Sequence, residues 1–169
     1  MFALTLLLAL PPPALAQRQA PEPELKAAIL ANMLLFIDWP ESGGQPQDRL
    51  SLCYLSENPV AAALSRLDGK PVKNRQLRVA HVDAAQLAQC HAVYMGPDDG
   101  PVLARLKPNL RPGGLLLAGD TPGYLQRGAM LNLELVAGQV VFDVDLRAIR
   151  EAGLSLSSKA LRLARMVLE

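Results

Sequence analysis

The 169 residues include only two cysteines and two histidines, so a centre with three or four soft ligands would consume nearly every such side chain in the chain. Zinc and iron–sulfur chemistry are set aside on that ground. A charge excess of either sign is also missing, since 17 Lys and Arg stand against 16 Asp and Glu without clustering in one stretch. A surface that neutralises phosphates needs such an excess, and nucleic acid is therefore not expected as a partner. Past the first ten residues no apolar run approaches the roughly 20 residues that cross a bilayer. The best candidate, Ala27 to Ile37, is broken by Asn32 and reads as a core helix rather than a membrane insertion. The glycines at Gly113-Gly114 and from Gly119 to Gly123 carry neither a dinucleotide fingerprint nor a phosphate-loop lysine, and Asp120-Thr121-Pro122-Gly123 has the residues of an ordinary tight turn.

What is present begins with an export signal. Phe2 to Leu10 is apolar, Pro11 to Pro13 interrupt it, and Ala14-Leu15-Ala16 places small residues at both cleavage-determining positions, so residues 1–16 read as a signal peptide. No Lys or Arg precedes the apolar run, which departs from the usual pattern. No cysteine follows the cleavage point, so no lipid anchor is expected. Residues 17–23 read as a disordered leader and residues 24–169 as a single domain of ordinary size. In an oxidising compartment two thiols usually pair. A Cys53–Cys90 bridge would close a loop of about 38 residues and contribute roughly 4 kcal/mol through the unfolded chain. The alternative, a redox-active pair, normally has a short Cys-x-x-Cys spacing at a helix start.

Elements alternate along the domain. A helix is expected from Glu24 to Trp39, stopped by Pro40, and a buried strand from Leu50 to Leu55. Asn58 and Pro59 then open a helix running to Leu67. The strand Gln76 to Val82 precedes a capping box at Asp83 and Gln86 with a helix to Gln89, and His91 to Met95 forms the next strand. A helix over Asp99 to Leu110, bent near Pro108, leads to the apolar run Leu115 to Ala118. This β-α-β-α order predicts an α/β fold, a mostly parallel sheet flanked by helices in a Rossmann-like three-layer arrangement. The tail differs: Leu131, Leu133 and Leu135 alternate with Asn132 and Glu134, and Val140, Phe142, Val144 and Leu146 alternate with Val141, Asp143 and Asp145. That is a C-terminal antiparallel hairpin turning at Ala137-Gly138. A short helix to Ala152 and a last amphipathic helix capped by Ser157 or Ser158 and ending near Glu169 complete the chain.

Side chains that could carry chemistry are few. His91 follows Cys90, but neighbours on a strand point to opposite faces, and an oxidised Cys90 is no nucleophile. His81 reads as a rim residue, with no Ser or Cys motif beside it. No catalytic residue and no cofactor are assigned. Asn132, Glu134, Asp143 and Asp145 share one hairpin face and admit three readings: a solvated sheet face, a hard-cation site, or a recognition surface for another protein. No metal is assigned there.

Lys26-Ala27-Ala28, Asn32, Phe36 and Asp38-Trp39-Pro40, then Gly128-Ala129-Met130, then Asp145-Leu146, Ala152-Gly153-Leu154, Ser157-Ser158-Lys159 and Leu163-Ala164, taken in order and spacing, resemble the YfiR-type periplasmic regulators. Cys53 and Cys90 stand where these proteins have a disulfide. The resemblance implies a soluble periplasmic α/β domain, often a homodimer, that performs no catalysis and represses an inner-membrane diguanylate cyclase by binding its periplasmic sensor region, limiting cyclic-di-GMP signalling and biofilm formation. Ala31, Met33 and Leu35 replace residues that are often aromatic, aromatic and basic in relatives, and Leu125 and Asn132 stand where some have a second cysteine pair. Within that frame the partner-binding surface is expected at Asn132, Glu134, Asp143, Asp145 and Ile149, with Asp143 open to charge reversal at no cost in stability. Two rivals are a small-molecule carrier with a pocket at the strand ends near Ser56-Glu57 and Gly96-Pro97, and a hydrolase or redox enzyme, which would need a free thiol or a working histidine.

Overall fold

A computed structural model of the chain describes residues 20–40, 47–106 and 114–169. The expected signal peptide, residues 17–19 of the expected leader, and the expected bend near Pro108 lie outside the described residues. Helix α1 spans Glu22–Met33, with Pro21 at its N-cap and two glutamates in its first turn. It thus begins inside the segment expected as leader and ends before Pro40, because the chain tightens into a 3-10 turn at Leu34–Phe36 and extends as β1, Ile37–Asp38. The strand β2 covers Arg49–Tyr54 and the helix α2 Pro59–Ser65, whose Asn58 cap accepts from the Val60 and Ala61 amides at 3.0 and 2.9 Å. Next come β3, Pro71–Val72, and β4, Arg75–His81. The capping box at Asp83 is present, but Ala84–Gln89 is wound as 3-10 helix.

Ala92–Met95 forms β5, Gly100–Leu106 forms α3 and Leu116–Gly119 forms β6. Both strands are buried along their whole length, as continuous apolar runs of parallel strands must be when covered on both faces. A one-turn helix, α4 at Tyr124–Arg127, follows the Thr121–Gly123 turn and was not foreseen. The hairpin is as expected: β7, Leu131–Val136, and β8, Gln139–Asp145, meet in register Asn132↔Asp143 and turn at Ala137-Gly138, both at positive φ. Asp145 caps α5, Leu146–Glu151, through the Ala148 amide at 2.8 Å.

The last helix departs from expectation. Ser157 caps α6, but α6 covers only Ser158–Leu161, preceded by β9, Ser155–Leu156, which pairs with β1. Met166–Leu168 then forms β10, parallel to β8, where a helix was expected. The edge of β8 offers unpaired peptide groups, and the Arg165 amide donates to the Phe142 carbonyl at 2.9 Å, so the tail gains ladder bonds that a solvent-facing helix turn would not.

The large sheet has the order β10-β8-β7-β6-β5-β2-β4-β3, with β4, β2, β5, β6 and β7 parallel and helices packed around them in a three-layer α/β arrangement. The winding starts at β2 and goes outward to β4, then returns across to β5 and β6. The topological switch therefore lies between β2 and β5, whose carboxyl ends carry Ser56-Glu57 and Gly96-Pro97.

Candidate functional site

The crevice at that switch point is filled by the protein's own side chains. The Ser56 hydroxyl donates to Asp99 Oδ1, and the Gly96 amide donates to Asp99 Oδ2 at 2.8 Å. The Tyr124 hydroxyl donates to the Gly96 carbonyl at 2.7 Å, and Tyr94 donates to Asn58 Oδ1 at 3.3 Å. Two glycines make room for this: a methyl group on Gly96 would overlap the Asn58 amide, and one on Gly119 would come within 2.6 Å of the Tyr124 ring. Above them Lys26 is buried and bridges Asp120 at 3.1 Å and Glu22 at 2.7 Å. Burial alone would lower the Lys26 pKa, but its bonds to Glu22 and Asp120 outweigh that and hold it above its ordinary value. Burial, then the Asp120 charge, push the Tyr94 phenol above its ordinary pKa, so it stays protonated. Ser56, Asn58, Asp99 and Tyr124 are bonded within the crevice, whereas Asp120 Oδ1 is buried without a hydrogen-bond partner among the described residues.

Cys53 and Cys90 form a disulfide with their Cα atoms 6.0 Å apart, tying the end of the 3-10 segment to β2. His91 is 1% exposed, and its Nδ1 accepts the Ser51 amide at 3.1 Å. Burial, with the Arg75 guanidinium beside it, lowers its pKa to about 4, so the ring is neutral at pH 7. His81 stacks on Tyr54, and its Nε2 lies 2.8 Å from the Leu55 carbonyl. Both thiols are consumed by the disulfide, and His91 is held inside the fold while His81 lies at its surface.

The hairpin face is where expectation and structure diverge most. Asn132, Asp143 and Ile149 are 1%, 3% and 0% exposed, so three of the five residues expected on a partner surface are interior. Ile149 belongs to the hydrophobic core, and Asp143 is held by Arg165, 22 residues beyond it. Its Nε donates to Asp143 Oδ1 at 2.9 Å, and its Nη2 bonds both Asp143 Oδ2 and Glu134 Oε2, the latter at 2.8 Å. Asn132 Nδ2 donates to the Thr121 carbonyl at 3.1 Å and to Glu134 at 3.3 Å. Asp145 is half-buried as the α5 cap. Asp143 is consequently not a site for free charge reversal. Among the described residues no group of three acidic, His or Cys side chains is placed to hold a metal ion. The exposed large apolar side chains among the described residues are Leu135 and Val136 at the hairpin end of β7, Met166 at the start of β10 and Leu163 three residues before it.

The sequence profile of the YfiR/HmsC-like family matches residues 23–165, nearly all of the described chain. The protein belongs to the YfiR/HmsC-like family. Within the family match lie the disulfide, the filled crevice and the Arg165 clamp. Among solved structures, a conserved domain protein from Vibrio cholerae O1 biovar El Tor strain N16961 is similar at 11% identity and a TM-score of 0.53. The match covers 86% of this chain and 60% of that one, and it supports the fold alone. No curated protein matches this YfiR/HmsC-like chain in sequence. No helix among its described residues is long and apolar enough to cross a membrane.

Proposed function

We propose that this protein is a periplasmic regulator that represses an inner-membrane diguanylate cyclase by binding its periplasmic sensor region, and that it catalyses nothing itself. The observation that carries this reading is the family match over residues 23–165. The Cys53–Cys90 disulfide, which this reading expects, is present. A repressor of this kind shifts its target only by its differential affinity for the inactive state, so its functional site is a docking surface. We place that surface around Leu163 and Met166, the exposed apolar side chains on either side of Arg165, whose guanidinium holds half-buried Glu134. The working unit is a homodimer, to be checked by light scattering.

Deleting the gene should raise cyclic-di-GMP, and the purified protein should capture a membrane cyclase from solubilised envelopes. Unchanged cyclic-di-GMP together with no recovered cyclase would overturn the reading. Leu163, 69% exposed, makes the sharper test of the surface. The Leu163→Asp variant should melt at the wild-type temperature while losing at least about tenfold in affinity for the captured partner, roughly 1.4 kcal/mol. Unchanged affinity would move the surface elsewhere.

A further inference from the structure

The hairpin loses its polar face toward its end. In the register of β7 and β8, Glu134 pairs with Val141, Leu135 with Val140, and Val136 with Gln139. Paired residues share a face and successive residues alternate, so Leu135 and Val140 lie on one face and Val136 and Val141 on the other. From Leu135 to Phe142 no residue is charged, and Gln139 is the one polar side chain. A hairpin with one face in water keeps polar side chains on that face. Here both faces are apolar, while Leu135 and Val136 are 47% and 40% exposed. A groove of about 270 Å³ lined by Ala20, Leu25, Ile29 and Val140 continues the patch onto α1.

The turn departs from the usual chemistry in the same direction. Ala137 and Gly138 sit at φ 49° and 79°. In a two-residue connection of this kind Asn or Asp before Gly is preferred, because a short polar side chain tolerates positive φ. Alanine holds that conformation at a cost, so the tip forgoes the polar residue that its backbone favours. The acids around the patch are neutralised by partners: Glu22 by Lys26 at 2.7 Å, Glu24 by Arg66 at 2.6 Å, and Glu134 by Arg165 at 2.8 Å. Between Leu135 and Phe142 there is also no Trp, Tyr or Arg, the residues that most often anchor a protein interface.

We propose that the hairpin end dips into the surface of a zwitterionic phospholipid bilayer, with Leu135 and Val136 below the headgroups and the α1 groove resting against them. At about 3.4 Å per residue the uncharged end reaches roughly 10 Å past Glu134, and interfacial elements bury their apolar face by about 5–10 Å. Lipid hydrocarbon accepts uncharged aliphatic side chains on every face of the tip, whereas Leu and Val are under-represented among the hot spots of protein interfaces. The paired acids, with no basic cluster beside them, match a headgroup without net charge rather than an anionic one. The contact is shallow and reversible, and it is independent of the repressor reading, since bare lipid contains no cyclase.

Both native cysteines are held in the disulfide, so Val136→Cys supplies one thiol for a polarity-sensitive fluorophore. On the full-length mature protein, vesicles of phosphatidylethanolamine and phosphatidylcholine should shift that emission to the blue saturably, and the same label at Ala62→Cys, exposed on α2, should not respond. Added salt should leave the binding unchanged. In vesicle flotation of unlabelled protein, Val136→Asp should lower partitioning at least tenfold. Ala137→Asn should weaken it as well while raising the melting temperature, because Asn suits φ 49°, and this variant carries the comparison if Val136→Asp fails to fold. Absence of wild-type binding to zwitterionic vesicles, binding only when anionic lipid is added, or equal partitioning of both variants and the wild type would overturn the proposal. So would a loss of captured cyclase in detergent by Val136→Asp with no vesicle binding by the wild type, which would make the hairpin end a protein contact.

Discussion

His91 shows how one buried side chain can bind distant parts of the fold together and still leave a pH signature. Its Nδ1 holds the Ser51 amide of β2, its carbonyl takes Trp39, and its ring is out of water. Burial first, and the neighbouring Arg75 charge second, move its pKa from 6.5 to about 4. The folded state therefore binds fewer protons than the unfolded chain between those values. Stability is intact above pH 6.5 and is lost as the pH falls toward 4, by at most about 3 kcal/mol for a shift of this size. A His91→Asn variant keeps an acceptor near the Ser51 amide but has no ring to protonate. Urea midpoints measured from pH 7 to pH 4.5 should fall more steeply for the wild type than for the variant. Parallel slopes would mean that His91 takes up its proton without opening the fold.

At the level of elements, the sequence made some features plain and concealed others for a physical reason. Runs such as Ala92–Met95 and Leu116–Gly119 are apolar because both faces are covered, and that is visible one strand at a time. Side-chain caps act over two or three residues, so Asn58, Asp145 and Ser157 were equally legible. Alternation in β7 and β8 correctly put Asn132, Glu134 and Asp143 on one face, but it cannot say what lies over that face. Arg165 answers that, across 22 residues of chain, and its segment was read as helix because Leu161, Ala164 and Leu168 also suit a helical stripe. The same contact yields a prediction about β10. Asp143 is buried and is held by two bonds from Arg165, so removing the cation strands a buried carboxylate, whereas removing both charges does not. Arg165→Ala should lower the denaturant midpoint and increase hydrogen exchange along Met166–Leu168. Asp143→Asn in that background should recover part of the loss. Additive losses in the double variant would show that the two side chains stabilise the edge separately.

For the molecule as a whole, the sheet is asymmetric in how it is held. One side ends in the hairpin and a three-residue strand fastened by Arg165, and the other, around β2, β4 and β5, is crossed by a covalent link. Cys53 lies inside β2, and Cys90 follows the 3-10 turn that enters β5, so the bridge encloses α2, β3 and β4 and fixes both strands that flank the topological switch. A protein that acts by presenting a rigid face gains from such a link because the unfolded chain loses freedom while the docked face gains no new contact. The chain-entropy estimate for a loop of about 38 residues is roughly 4 kcal/mol, a large part of the 5–15 kcal/mol typical of a domain. The Cys53→Ala, Cys90→Ala double variant should therefore unfold at a much lower urea concentration than the oxidised wild type, and reduction of the wild type by dithiothreitol should reproduce most of that shift. Because the exposed corner at Leu163 and Met166 lies across the sheet from the bridge, partner affinity measured well below the new midpoint should be unchanged. If affinity fell with the bridge while the fold remained intact, the docking face would have to extend to the β2–β4 side, and the placement around Leu163 and Met166 would fail.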